Sequence, residues 1–284
     1  MGNGQRTKAE FYSGFKENMS EPVKTKKPVV IFTAYDEANA PYAKLFRNSL
    51  KKFHPDIPLY EVQGDELKAY LAADPMFFYK QKPVIAEKLI KEYELVIGMD
   101  CDQIVTGDLS YLWNTKDYDV ATVLNWNRKD QEEYGLVAGW GIIPIEYFNC
   151  GLVAMRNEKF IKNWSYLCTT PQFERMQYKE QDILNAMCYY GNWNVRCLDH
   201  LDPLGGNNSW WGLLSKGSWQ DAFMRNNEII IPQGKDGNPF PPKEVSLKVI
   251  HWGGGSNSPD KMNYRIKFND DVVKRLDYLV SDIK

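Results

Sequence analysis

Two aspartates stand two positions apart in Asp100-Cys101-Asp102, directly after the apolar run Leu95-Val96-Ile97-Gly98-Met99. Alternate side chains on an extended backbone point the same way. Asp100 and Asp102 are therefore expected to converge just beyond the end of a buried strand, where ligands of open α/β sheets sit. Hard divalent cations take oxygen ligands, and nucleotide phosphates take such cations. Ile104-Val105 reads as a continuation of that strand, and Gly107-Asp108-Leu109 as the turn that leads away from it. Nine Trp and seventeen Tyr supply faces that stack on sugar rings or bases. The run Trp210, Trp211, Trp219 and Trp252, with Trp140 upstream, is a candidate stacking platform.

The elements that must position these groups follow from hydrophobic periodicity. Val29–Ala34 is a short, β-branched, continuously apolar run, as a buried parallel strand requires. A helix with Pro41 in its first turn follows, with Tyr42, Leu45, Phe46, Leu50 and Phe53 on one face. Leu59–Val62 is a second strand, and Pro83 opens a helix before the aspartate-bearing strand. Further strands are expected at 119–124, 151–155, 195–198, 228–231 and 247–250. Helices are expected at 158–168 and 180–190 and, capped by Asn269, at the chain end. Residues 201–242 are rich in Gly, Pro, Asn and Trp and read as long loops. Alternation of strand and helix predicts an α/β fold with a mostly parallel central sheet flanked by helices. Residues 1–27 read as a flexible polar tail, and 28–284 as a single domain.

Composition removes several function classes. With 35 basic and 37 acidic side chains the formal net charge is −2, so no global field draws in nucleic acid. The five cysteines are odd in number and form no C-x-x-C, which argues for a reducing compartment and against a zinc knuckle. Met1–Lys27 is polar and shows no secretory pattern, and no apolar run reaches membrane-spanning length, so a cytoplasmic location is expected. There is no Walker A run and no G-x-S-x-G elbow.

The order of short motifs adds a resemblance. Phe32-Thr33-Ala34-Tyr35-Asp36, Lys82-Pro83, Asp100-Cys101-Asp102, Tyr147-Phe148-Asn149-Cys150-Gly151, Glu180-Gln181-Asp182-Ile183-Leu184-Asn185 and Val249-Ile250-His251-Trp252-Gly253-Gly254 occur in that sequence. Together, over residues 29–255, they resemble the GT-A glycosyltransferases, and among them glycosyltransferase family 8, the glycogenin and galactosyltransferase group. The resemblance implies a Rossmann-like nucleotide-diphospho-sugar transferase. It implies that Asp100 meets both ribose and metal, that Asp102 ligates the metal, and that His251 is the third metal ligand. Thr33, Ala34, Tyr35 and Asp36 would form the uridine loop. Lys82 would touch the donor phosphate or sugar, and Asn149 and Gly151 would line the donor sugar. Glu180, Gln181 and Asp182 would stand beside the anomeric carbon, although the two acids also suit a helix N-terminus. The family pattern His-Phe-x-Gly-x-x-Lys is broken, because Asn257 stands at the Lys position. Either Lys261 or the backbone of Gly253, Gly254 and Gly255 would then meet the diphosphate.

The implied reaction moves a sugar from a nucleotide-sugar donor, a UDP-sugar, to a hydroxyl acceptor with retention at the anomeric carbon. Oxygen-rich ligation with one imidazole favours Mn2+, or Mg2+, over zinc. The acceptor is a glycan, a glycolipid, a protein or a modified nucleic acid. Two other readings stay open: a sugar-nucleotide nucleotidyltransferase on a related fold, and a non-catalytic sugar-binding module.

Overall fold

The computed structural model describes residues 25–124, 147–198, 208–213, 220–233, 243–252 and 263–283. Strand β1 (Val30–Ala34) leads through a short turn into α1 (Ala40–Phe53), then β2 (Leu59–Val62) and α2 (Gly64–Ala73). Next come α3 (Gln81–Leu89), β3 (Val96–Met99), β4 (Gln103–Val105), α4 (Tyr111–Asn114) and β5 (Val120–Leu124). The chain continues as β6 (Phe148–Met155), α5 (Glu158–Leu167), α6 (Pro171–Arg175), α7 (Glu180–Tyr190) and β7 (Val195–Cys197). Strands β8 (Asn208–Leu213), β9 (Phe223–Arg225), β10 (Glu228–Gln233) and β11 (Lys243–His251) precede the last helix, α8 (Asp270–Val280).

Six strands form the central sheet in the order β2-β1-β3-β6-β5-β7. Pairings β1–β2, β1–β3 and β5–β7 are parallel, and β6 runs antiparallel to both neighbours. The sheet is thus mostly parallel, as expected, with one reversed strand that matters for the site. An antiparallel neighbour lays its beginning beside the end of β3, so the Asp100 N–H reaches the Gly151 carbonyl at 3.0 Å. The residues of β1 are all buried, which is why its run is apolar without alternation.

Expectation and structure part at three places. The aspartate-bearing segment is not one strand: it turns at Cys101-Asp102, and β4 joins a second sheet in the order β4-β11-β10-β9. The two carboxylates therefore meet across a turn rather than by strand alternation. The region read as loops contains β8, β9 and the start of β10's hairpin. The β9–β10 connection carries Asn226 and Asn227 at φ 50° and 68°, the left-handed pair that a tight hairpin turn demands. Lastly, Lys27 lies outside any free tail: its N–H donates to the Glu92 carbonyl and its carbonyl accepts from Glu94 N–H, both at 2.8 Å. Helix α2, with only Leu67 fully buried, had too weak an apolar stripe to be read from sequence.

Helices α3, α5 and α7 pack on one face of the central sheet around Phe32, Ile85, Val153 and Trp164. Helix α1 covers the other face through Phe46 and Leu50. Helix α8 closes the second sheet, with Val272, Leu276 and Leu279 buried against Ile104 and Ile250. Its cap is as expected, with Asn269 accepting from the Val272 N–H at 3.2 Å. Ile283 is 53% exposed, because the helix has ended at Val280.

Candidate active site

β3 ends on Asp100, the turn presents Asp102, and β11 brings His251 to their side. His251 pairs with Gln103 in the antiparallel β4–β11 ladder, and the Trp252 N–H donates to the Asp102 carbonyl at 3.2 Å. The imidazole Nε2 stands 3.3 Å from Asp100 Oδ2 and 3.2 Å from Asp102 Oδ1. One ligand atom from each of the three residues lies within 4.8 Å of the others. Two carboxylates and an imidazole so close together are a donor set for a hard or borderline divalent cation.

The approach of His251 depends on a missing side chain. A Cβ at Gly151 would lie 2.7 Å from His251 Cε1 and 2.8 Å from both its Nδ1 and Asn149 Oδ1. Gly151 is thus the floor on which the imidazole rests. Its N–H donates to Asn149 Oδ1 at 2.6 Å, and its carbonyl accepts from buried Gln103 Nε2 at 2.7 Å.

Lys82, near the start of α3, is buried between two acids. Its Nζ is 2.5 Å from Asp100 Oδ1 and 3.6 Å from Glu180 Oε1, while its backbone N–H donates to Glu180 Oε2 at 3.3 Å. Burial opposes the charge of Lys82, but Asp100, Cys150 and Glu180 more than offset it and hold the ammonium above its ordinary value. Burial likewise opposes ionised Asp100, yet Lys82 and His251 hold that carboxyl far below the usual range. Glu180 lacks so close a cation. Burial pushes it up to about 7, against the pull of Lys82 and with help from Asp100. Against burial, Asp102 and Asp100 raise His251 to about 9, so without a cation the imidazolium proton holds the two carboxylates together. A divalent cation fits this place because it would take the same three atoms in exchange for that proton.

The first turn of α7 faces β6. Gln181 Oε1 accepts from the Cys150 N–H at 3.1 Å, and Cys150 Sγ lies 3.8 Å from Glu180 Oε1. Asn185, one turn on, treats β6 as a strand would: Oδ1 accepts from the Phe148 N–H at 2.7 Å and Nδ2 donates to the Phe148 carbonyl at 2.9 Å. A small pocket of about 250 Å3 opens beside Cys150, Glu180 and Gln181, walled by Phe78, Tyr79 and Tyr178.

Asp100, Asp102, His251, Lys82, Asn149, Gly151, Glu180 and Gln181 are therefore brought to one neighbourhood. Three expectations change. Asp182 is fully enclosed, and its oxygens accept from Tyr147 OH at 2.5 Å and from the Tyr178 N–H at 2.8 Å. It ties the first turn of α7 to Tyr147, just before β6, and to the turn that leads into the helix. Burial raises its pKa and these donors oppose the rise. In the β1 loop, Tyr35 turns inward to Glu61 (2.9 Å) and Arg47 (3.1 Å), and burial and Glu61 lift its phenol to about 12. Asp36 caps the following turn by accepting from Asn39 N–H at 3.0 Å and Asn39 Nδ2 at 2.7 Å. Thr33 and Ala34 are buried at the strand end. Trp252, expected in the stacking platform, is a core residue packed edge-on against Tyr264, because the last strand carries it under α8.

Gly253, Gly254, Gly255, Asn257, Lys261, Trp140 and Trp219 lie outside the described residues, as do the side chains of Trp210 and Trp211. Sequence reasoning missed Gln103, Tyr147 and Asn185 as supports. All three adjoin or lie within quoted motifs, but their roles are contacts between distant segments. Among the described residues no helix is long and apolar enough to cross a membrane.

Comparisons with known proteins bear on the family and the fold. The profile of glycosyl transferase family 8 matches residues 18–256. No curated protein matches the sequence. Among solved structures, the galactosyltransferase LgtC in complex with donor and acceptor sugar analogs is similar at a TM-score of 0.55 and 17% identity, covering 89% of this chain and 97% of that one. WbbM, a bifunctional glycosyltransferase, is similar at 0.56 and 16%, covering 90% of this chain and 50% of that one. At such identities the likeness speaks for the fold, and the matched profile for the family. The chain belongs to glycosyltransferase family 8 and is a glycosyltransferase of the GT-A fold.

Proposed function

We propose that the chain transfers a sugar from a UDP-sugar to a hydroxyl acceptor with retention of anomeric configuration, using Mn2+ or Mg2+ held by Asp100, Asp102 and His251. The observation that supports this most is the meeting of those three side chains from the middle and far end of the chain, within 4.8 Å. When bound, the cation neutralises charge that develops on the departing diphosphate.

The chain's own groups prepare that event. Lys82 adds a fixed positive charge beside Asp100, and it costs no reorganisation because both partners already hold it. Asn149 and Gly151 floor the donor-sugar side, and Gln181, anchored on the Cys150 N–H, stands at the anomeric carbon. Glu180, at about 7, can hold or release a proton there at neutral pH. Asp182 acts on the reaction through its grip on Tyr147 and Tyr178, as a positioning residue. Thr33 and Ala34 receive the uridine. Gly253, Gly254 and Lys261 complete the diphosphate site, as the family pattern suggests.

The test is a panel of nucleotide sugars with and without Mn2+, followed by product mass and by proton NMR of the new anomeric centre. UDP release that needs the metal and a retained anomer are expected. Inversion would remove the retaining assignment, and full activity in chelator would remove the metal. His251→Ala is expected to lower metal-dependent turnover at least about tenfold.

A further inference from the structure

A second cavity lies along the outer side of the α5–α7 pair. It is a groove of about 750 Å3, within the size range of small-ligand sites. Leu167 of α5 and Ile183 and Met187 of α7 form its floor. Its flank carries three aromatic rings, Tyr166, Tyr190 and Trp193, and three neutral amides, Asn163, Gln172 and Asn192. No Asp, Glu, Lys, Arg or His lines it.

Trp193 is held in place. Its indole meets Phe160 edge-on, with centroids 5.3 Å apart, and it lies so close to Gly191 that a Cβ there would be 2.2 Å from Nε1 and 2.3 Å from Cδ1 of the ring. Tyr166 and Tyr190 are 69% and 59% exposed. Tyr79, also exposed, walls the small pocket beside Gln181. Among the described residues the only tyrosines beyond half exposure besides these three is Tyr278.

We propose that this groove binds a neutral oligosaccharide, as an anchoring site for a glycan acceptor whose end reaches the transfer centre. The argument is one of chemistry. Sugar rings offer apolar C–H faces that stack on aromatic side chains, and hydroxyls that amides can both donate to and accept from. The lack of charge disfavours phosphorylated or acidic ligands, which would be buried without a counter-ion. Helix α7 lines the groove from Ile183 to Tyr190 and carries Glu180 and Gln181 in its first turn, about 15 Å from Tyr190 at 1.5 Å per residue. Met176 lines the groove and Gln177-Tyr178 line the small pocket, so consecutive residues of one stretch of chain serve both cavities. The proposal rests on the transferase reading for the acceptor role, but binding in the groove does not.

The test titrates the full chain, without donor or metal, with maltohexaose, cellohexaose, isomaltohexaose and the acidic control hexagalacturonate, by calorimetry and tryptophan fluorescence. At least one neutral hexasaccharide is expected to bind with a Kd below 1 mM, an order-of-magnitude threshold for a real site (about −4.1 kcal/mol). Binding is expected to weaken at least about tenfold in Tyr166→Ser/Tyr190→Ser, a surface variant away from the core, and in Gly191→Ala, which displaces the indole. Donor hydrolysis measured with UDP-sugar and Mn2+ is expected to stay unchanged in the double variant. Failure of all three neutral sugars, tighter binding of the acidic one, or binding that survives the double variant overturns the groove assignment. Oligosaccharide binding without any UDP-sugar hydrolysis instead overturns the UDP-sugar donor reading and leaves the groove a binding site.

Discussion

At the scale of single residues, the site is built by what is absent as much as by what is present. Gly151 gives His251 its place, and the first added carbon would collide with the ring at 2.7 Å. Gly151→Ala is therefore expected to fold but to lose at least about tenfold in Mn2+ affinity, the range seen when a supporting contact of a metal ligand is removed. Calorimetric titration with Mn2+ checks this, and wild-type affinity would show that the imidazole has room to spare. Glu180 makes a pH prediction. Its folded value of about 7 lies above its ordinary 4.5, so folding favours the protonated form. That contribution is whole below about pH 4.5 and is lost as pH rises through about 7, a swing of roughly 3 kcal/mol. In Glu180→Gln the swing disappears. Urea unfolding at pH 5 and pH 8 should show the variant gaining stability relative to wild type as pH rises, and parallel behaviour of the two would refute the shift.

The elements carry these residues by local conformations that run against ordinary preference. The turn Tyr178-Lys179-Glu180-Gln181 closes with a Gln181 N–H to Tyr178 carbonyl bond of 3.0 Å. Lys179 holds φ 50° and ψ −119° there, values that suit glycine at the second position of a type II′ turn. A lysine in this conformation costs about 1–3 kcal/mol, and its position directly before Glu180 and Gln181 places the strain at the site. Lys179→Gly is expected to raise stability by about 1 kcal/mol. A denaturant midpoint that stays or falls would mean that Lys179's own bond to the Glu174 carbonyl, at 2.7 Å, outweighs the strain. The reversed strand β6 belongs at this scale too. Its amphipathic content is that of any buried strand, so direction was not readable from Gly151–Met155. Only its pairing shows why Asn149 and Gly151 lie beside Asp100. The same holds for Asp182. The family resemblance set it beside the anomeric carbon, yet Tyr147, a partner 35 positions away, takes one of its oxygens.

At the scale of the whole molecule, the proposed cation would join two segments 149 to 151 positions apart, Asp100 and Asp102 with His251. A ligand that binds only the folded chain stabilises it by about 2.7 kcal/mol at 100 times its Kd. Mn2+ is therefore expected to raise the unfolding temperature by roughly 5 °C. EDTA should reverse the rise, and Asp102→Asn should abolish it. An equal shift in that variant would place the ion elsewhere. The sequence by itself determined the alternating α/β plan, the buried strands 30–34 and 96–99, the long helices and the aspartate pair, because periodicity and residue chemistry are local properties, while His251 entered through the order of motifs that the family resemblance supplied. Only the tertiary structure decided that the aspartates meet at a turn between two sheets, that Tyr35, Asp36 and Asp182 are committed to internal bonds, and that Trp252 is core. Those outcomes depend on which distant segment arrives to satisfy a buried polar group or cover an apolar one, and no window along the chain contains that partner.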